Sequence, residues 1–184
     1  AAITGVFLLL LVVMMITRYG FGADLELGGP AGLISLAPAE IIRIRELGRR
    51  CADAVRATLA QVEPGLSELQ IAGILAEESI GRGVTPVVNL IATDERVYQF
   101  RHPLPTPRRL ERYAMVVLGG RRYGMIVSMP RLVHFGHIPE ELAARAHSVA
   151  RVDAALITRT RPGAALKDVL QAGVDAYQAA GYPD

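Results

Sequence analysis

The chain has 184 residues, and its 20 Lys and Arg against 18 Asp and Glu give a formal net charge of only +2. This length suits one domain, or one domain with part of another. So small a positive charge, spread along the chain and not clustered, argues against a nucleic-acid partner.

The single cysteine, Cys51, excludes a disulfide bond within the chain. A protein without disulfide bonds is most simply explained by a reducing compartment, so we expect this protein to be cytoplasmic. Because Cys51 falls on the apolar stripe of a predicted helix, we interpret it as a small core residue and not as a nucleophile.

The first 17 residues carry no charge, which leaves two interpretations open. Their strictly apolar core, Val6 to Ile16, spans about 16 Å as a helix, roughly half the hydrocarbon thickness of a bilayer. We therefore favour a buried strand of an α/β sheet over a membrane segment. The glycine-rich stretch that follows, residues 20–32, predicts a linker and a domain boundary near residue 37.

Two helices and a strand are predicted next. Pro38 suits the first turn of a helix, which Pro64-Gly65 ends. Ser67 and Gln70 form a capping box for a second helix, and glycines at 81 and 83 stop it. The valines and isoleucine of VVNLIA, residues 87–92, predict a short strand. The long first helix buries apolar residues that recur every three or four positions: Ile41, Ile44, Leu47, Cys51, Val55, Leu59 and Val62.

The central stretch, residues 101–136, holds the polar groups that could form a site. It starts with a proline-rich loop that carries His102 and continues with an apolar strand. We interpret Gly119-Gly120 as a hairpin turn and not a phosphate loop, because no helix follows it. A second strand and a third apolar run complete a sheet of the kind that commonly frames a small-molecule site.

A second pair of helices repeats the first. Pro139 opens a helix with Glu140 and Glu141 in its first turn, and a further helix runs from about Leu166 to Gly181. Pro64-Gly65 and Gly83 are matched by Pro162-Gly163 and Gly181, each 98 residues later. This spacing predicts an internal duplication into two helix-helix-sheet halves that face each other across a cleft. The second half stops at Asp184, where its strands are expected to begin.

These segments together resemble the creatinase, prolidase and methionine-aminopeptidase family of pita-bread fold. The resemblance covers residues 38–184 and implies an α/β (α+β) domain of two pseudo-symmetric halves, cut short at its C-terminus. Residues 1–37 are then expected to be the end of a smaller N-terminal α/β domain and its linker. Homodimers are common in the family, so a homodimer is expected here. The resemblance is carried by PAEIIRIRELGRRCADA, VEPGLSELQIAGIL, HPLPTPRRLERYAMVVLGGRRYGMIVS and the final AGYPD.

The resemblance also implies a lost metal site. Family peptidases hold two divalent metal ions, and their first two ligands are aspartates eleven residues apart on the hairpin. Those positions fall here at Leu118 and Met129, and no Asp or Glu occurs between Arg112 and Pro139. Since neither side chain suits a hard cation, we expect no metal cofactor to be held by this hairpin. The remaining family ligands would lie beyond residue 184.

His102 is the candidate catalytic residue that the resemblance leaves. The family's peptidases carry a substrate-contacting histidine in this loop, and creatinase, which works without metal, uses it as a general acid and base. Tyr98 and Phe100, with Tyr113, could wall a substrate pocket or could serve ordinary packing. Asp94 and Glu95 could line the cleft or form a solvated turn. His134 and His137 form an HxxH pair, but in a strand and loop with no third ligand they favour no metal site.

Two functions stay open at this point. The first is an Xaa-Pro peptidase-like hydrolase of peptide-like C–N bonds that works without metal on a peptide or small amidine-like substrate. The second is a non-catalytic member of the family, a pseudoenzyme that uses the cleft to bind a peptide or protein partner.

Overall fold

The computed structural model describes residues 37–161 and 163–182, which divide into two compact units between Phe135 and Gly136. The interpretations of residues 1–36, as a strand or membrane segment, linker and N-terminal domain, lie outside the described residues. Within the described residues, no helix is both long enough and apolar enough to cross a membrane.

The unit that ends at Phe135 packs helices on one face of a three-stranded sheet. Its elements are α1 (Pro38–Leu59), α2 (Glu68–Ile80), β1 (Thr85–Thr93), the short α3 (Arg96–Gln99), β2 (Tyr113–Arg122) and β3 (Met125–His134). The strands are antiparallel in the order β1-β2-β3. The predicted helices and strand are present.

Local sequence explains where the two long helices of this unit begin. Pro38 occupies the first turn of α1, where its missing N–H costs nothing. In α2 the Ser67 hydroxyl accepts from the Gln70 amide at 3.2 Å, and the Gln70 side chain accepts from the Ser67 amide at 2.8 Å. This is the predicted capping box.

The core of this unit lies between α1, α2 and one face of the sheet. Cys51 on α1 is fully buried in it, as the sequence predicted. Burial raises the pKa of the Cys51 thiol to about 11, which keeps the thiol protonated and unreactive near neutral pH. The other fully buried large side chains include Leu47, Ile71, Leu75, Ile91, Leu110 and Leu118.

The predicted turn at Gly119-Gly120 is wrong. Both glycines lie inside β2, and the chain reverses at Tyr123 and Gly124, whose φ angles are +54° and +76°. Two positive φ angles are typical of the two-residue type I′ hairpin turn. The third apolar run predicted from the sequence is consequently the second part of β3.

Glycine is needed at these two strand positions because neighbouring side chains approach the backbone. A Cβ atom at Gly119 would lie 2.6 Å from Cβ of Val88. A Cβ atom at Gly120 would overlap Sγ of Cys51 and lie 2.6 Å from Cγ1 of Val84. Tertiary packing, and not turn formation, therefore accounts for the glycine pair.

The unit that begins at Gly136 contains α4 (Glu140–Arg159) and α5 (Leu166–Ala179). Pro139 caps α4 and two glutamates occupy its first turn, as predicted. Leu156 of α4 is buried against α5, where a Cβ atom on Gly173 would lie 2.7 Å from Cδ2 of Leu156. The absence of a side chain at Gly173 thus lets the two helices approach closely.

The two units share the local backbone that the 98-residue spacing predicts. Helix α5 begins at Leu166, 98 positions after Glu68, where α2 begins. Gly65 and Gly163 have φ angles of +98° and +84°, and Gly83 and Gly181 have +68° and +85°. The predicted 98-residue spacing therefore recurs at the start of the second helix of each pair and at the flanking glycines, whereas α1 and α4 begin 102 residues apart.

Candidate functional site

The His102 loop, residues 100–110, joins α3 to β2 and is fixed to the start of α2. The Leu110 amide donates to the Leu66 carbonyl at 2.8 Å, and the Glu68 amide donates to the Arg108 carbonyl at 2.9 Å. His102 itself is exposed, whereas the next residue, Pro103, is buried. The loop is therefore a fixed part of the unit that presents an imidazole at the surface.

The two aromatic residues predicted to bind substrate stand on either side of the end of α3. Tyr98 is 45% exposed, and its ring centroid lies 6.1 Å from that of the buried Tyr113. Burial and the nearby Tyr98 hydroxyl raise the pKa of the Tyr113 phenol, so Tyr113 stays neutral. Phe100 is 46% exposed and stacks under the Arg96 guanidinium, whose carbon lies 4.7 Å from the ring centroid. Tyr98 and Phe100, which precede His102 closely in the sequence, both leave part of their rings exposed to solvent.

Sequence reasoning missed Glu68, which is the centre of a buried polar network. Its side chain is fully buried. One carboxylate oxygen accepts from the Thr93 amide at 2.8 Å, the Thr93 hydroxyl at 3.0 Å and Nε of Arg96 at 3.0 Å. The other accepts from the Thr106 amide at 2.9 Å and the Thr106 hydroxyl at 2.6 Å. A buried carboxylate needs such full pairing, and here it ties α2 to the end of β1 and to the His102 loop.

Asp94 and Glu95 have structural partners. Asp94 has a φ of +51°, and its carboxylate accepts from the backbone amides of residues 111, 112 and 113, each at 3.0 Å. Glu95 forms an ion pair with Arg108. Of the two sequence interpretations, the structure favours the turn, with Asp94 holding the entry to β2.

Leu118 and Met129 stand directly opposite each other on β2 and β3. Leu118 is fully buried in the core cluster formed with α1 and α2, and Met129 packs against the same cluster. Leu118 points the same way as the Cβ position of Gly120, which meets Cys51 of α1. The face that carries this pair is therefore the one covered by the helices.

The opposite face of the hairpin, at the same level, carries two other cross-strand pairs. Val117 pairs with Pro130, and Gly119 pairs with Ser128. The Ser128 hydroxyl is the only side-chain oxygen among these four residues, and a neutral hydroxyl alone does not hold a divalent cation. Neither face of the hairpin thus offers a carboxylate, whichever register is used to compare it with a metal-binding hairpin.

The HxxH pair is divided between a strand and a loop. His134 is the last residue of β3, and its ring centroid lies 6.0 Å from that of Tyr113, while His137 is exposed in the loop before α4. Across residues 37–161 and 163–182, no three His, Cys, Asp or Glu side chains come together as metal ligands would. The donor groups that the structure brings together therefore do not fit the family's dinuclear metal centre.

Comparisons with known proteins address the family. The model of metallopeptidase family M24 matches residues 42–184. No curated protein sequence matches the chain significantly.

Solved structures agree with the family model on the fold. The chain is similar to an X-Pro aminopeptidase from Thermotoga maritima (TM-score 0.73, 18% identity, 80% of this chain and 42% of that one). It is also similar to a prolidase from Pyrococcus furiosus, with a TM-score of 0.74, 17% identity and coverage of 96% of this chain and 48% of that one. A methionine aminopeptidase from Rickettsia prowazekii is similar with a TM-score of 0.63, 14% identity and coverage of 78% of this chain and 61% of that one. The chain spans less than two thirds of each. Since the family model covers more than half of the chain, the protein belongs to metallopeptidase family M24 and has a pita-bread type of fold.

Proposed function

We propose that the protein is a metal-independent hydrolase of peptide-like C–N bonds, with Xaa-Pro peptides as its first candidate substrates. Membership of family M24 supports the reaction class. The observation that supports a metal-independent mechanism is the β2-β3 hairpin, because neither of its two faces carries a carboxylate.

The metal-dependent route does not fit these residues. A divalent metal of the kind that the family binds needs anionic oxygen or imidazole ligands. The paired positions at the level of Leu118 and Met129 supply only aliphatic, thioether and glycine groups and the neutral Ser128 hydroxyl. An acid at position 118 would have to lie among the fully buried side chains under α1 and α2. The proposed reaction therefore uses no metal ion.

His102 is the group on which a metal-free route depends. A neutral imidazole can accept a proton from water while the resulting hydroxide attacks the carbonyl carbon of the scissile bond. The imidazolium then returns that proton to the leaving nitrogen as the C–N bond breaks, which yields a carboxylic acid and an amine. His102 ends the cycle neutral, so a single histidine balances the reaction.

The neighbouring aromatic residues supply the apolar surface that a proline ring needs. Tyr98, in the last turn of α3, and Phe100, just after it, are each nearly half exposed. The Tyr98 ring lies beside Tyr113, and the Phe100 ring lies under the Arg96 guanidinium. Proline packs well on aromatic faces because its ring is compact, rigid and apolar. Both residues are accordingly proposed to contact the substrate.

A non-catalytic peptide-binding role is the second candidate, and the same hairpin favours it. A family member without hairpin carboxylates can keep its fold while its exposed aromatic residues bind a proline-containing segment of a partner. The two candidates differ in one measurable property, which is turnover that depends on His102.

The test uses the full-length protein. Metal analysis should find no stoichiometric Mn, Co or Zn. Hydrolysis of Xaa-Pro dipeptides and of creatine-like amidines is then compared among wild type, His102→Ala and His147→Ala, an exposed histidine on α4 that serves as the matched control.

Turnover that is lost in His102→Ala and kept in His147→Ala supports the hydrolase. Peptide binding without turnover in any form supports the binding protein. Stoichiometric metal with metal-dependent turnover would refute both the metal-free mechanism and the interpretation of the hairpin.

A further inference from the structure

The buried Glu68 network holds the His102 loop from two sides. Downstream of His102, Thr106 donates both its amide and its hydroxyl to one Glu68 oxygen. Upstream, Arg96 donates Nε to the other Glu68 oxygen and stacks on Phe100. The second nitrogen of Arg96 donates to the Leu104 carbonyl at 3.0 Å, between the two ends.

Backbone hydrogen bonds also join the loop to α2, among them the Leu69 amide to the Thr106 carbonyl at 3.2 Å, and the network adds the side-chain contacts to residues 104 and 106. Prolines at 103, 105 and 107 have no N–H to donate, and the Thr106 amide that lies between two of them is the one that Glu68 receives. The prolines restrict φ, while the network fixes where the restricted segment lies. His102 lies in the segment between Arg96 and Thr106, and this network holds both ends of that segment.

We propose that Glu68 is a positioning residue, which sets the location of His102 through Thr106 and Arg96. The inference builds on the proposed function, because a fixed imidazole matters for proton transfer or for recognition of a peptide. Glu68 touches no substrate in this role. Its effect on His102 can nevertheless be measured without any substrate.

Two variants interrupt the network at different points. Thr106→Val keeps the shape of the side chain and removes the 2.6 Å hydroxyl bond to Glu68. Glu68→Gln places an NH2 group against the two donors of Thr106 or against Thr93 and Arg96, so at least two contacts are lost. Thr106→Ser keeps the hydroxyl and is the conservative rescue. Should Glu68→Gln fail to fold, Thr106→Val alone decides the test.

The matched control is Ser79→Ala. Ser79 is fully buried on the same helix as Glu68, and its hydroxyl donates to the Leu75 carbonyl at 2.6 Å. Its replacement removes one buried hydrogen bond from α2 without touching the His102 loop. A change that merely reflects a weaker α2 should therefore occur in this control as well.

The measurement is the nuclear magnetic resonance spectrum of the histidine rings, with His102 assigned through His102→Ala. We expect Thr106→Val and Glu68→Gln to shift the His102 ring signals. Both variants should also raise the hydrogen-exchange rate of the backbone amide at position 106 at least tenfold. Thr106→Ser and Ser79→Ala should leave both unchanged. Where wild type shows turnover, Thr106→Val should lower kcat more than it changes KM.

His102 signals that stay unchanged in Thr106→Val and in folded Glu68→Gln, or that change equally in Ser79→Ala, would overturn the proposal. Absence of turnover and of peptide binding in wild type, with His102 signals that still respond, would refute the proposed function and leave the positioning role standing.

Discussion

Gly120→Ala is expected to destabilise the protein although it adds only one methyl group. The new Cβ atom would overlap Sγ of Cys51 and would lie 2.6 Å from Cγ1 of Val84. Ordinary contacts between such atoms are about 3.5–4 Å. Cys51 and Val84 are 0% and 1% exposed, so neither can move into solvent to make room.

Overpacking of this kind costs about 1–3 kcal/mol, while replacement of a strand glycine by alanine returns about 0.5–1 kcal/mol through the unfolded chain. Both contacts lie far inside the ordinary range, so we expect a cost at the upper end, about 2–3 kcal/mol, and a net loss of about 1–2.5 kcal/mol in the free energy of unfolding. Urea unfolding followed by circular dichroism would measure it, with the m-value checked for constancy.

Gly73→Ala provides the matched control, because Gly73 lies in α2 and a Cβ atom there would meet nothing within 4 Å. It should stabilise the protein by about 0.5–1 kcal/mol. The double variant Cys51→Ala/Gly120→Ala should recover at least about 0.5 kcal/mol relative to the sum of its single variants. A Gly120→Ala protein that is as stable as wild type would refute the packing account of the glycine pair.

Four further outcomes are expected. Asp94→Ala should lose about 1–3 kcal/mol, because it leaves the amides of residues 111–113 without their acceptor at a positive φ, while Asp94→Asn should keep most of the stability in the same urea assay; equal losses would contradict this account. Cys51, with its raised pKa of about 11, should react with a thiol reagent at pH 8 far more slowly in the native than in the urea-unfolded protein. Because the folded state holds the Cys51 proton more tightly, the contribution of this thiol to stability should be complete below about pH 9 and lost as pH rises through about 11. An unfolding free energy that stays constant over this pH window in wild type, or that falls equally steeply in Cys51→Ala, would contradict this expectation. Gly124→Ala should cost about 1 kcal/mol, since its φ of +76° disfavours a side chain; no loss would argue against the type I′ turn.

The sequence was informative wherever structure depends on near neighbours. The capping box at Ser67, the start of α4 at Pro139 and most of the stripe on α1 follow from contacts within one or two helical turns, and they were predicted. At the two ends the predicted stripe is wrong, because Ile41 is 36% exposed and Val62 lies beyond the end of α1. The 98-residue spacing of the glycines also has a local structural basis, because the glycines at equivalent positions adopt positive φ angles.

The errors arose where distant parts of the chain decide. Gly119-Gly120 has the composition of a turn, but Val88 and Cys51, far along the chain, require both glycines within a strand. Glu68 looks like an ordinary acid in the first turn of a helix, and its importance comes from partners 25, 28 and 38 residues away. No local pattern distinguishes it from an exposed glutamate.

The packing of the hairpin bears on how readily a carboxylate could be introduced there, by evolution or by engineering. An aspartate in place of Leu118 would bring an unpaired charge into a fully enclosed apolar cluster. An aspartate in place of Gly119 would collide with Val88 at its first side-chain carbon. Each of these two substitutions therefore needs at least one compensating substitution in a neighbouring element before its carboxylate could serve a cation.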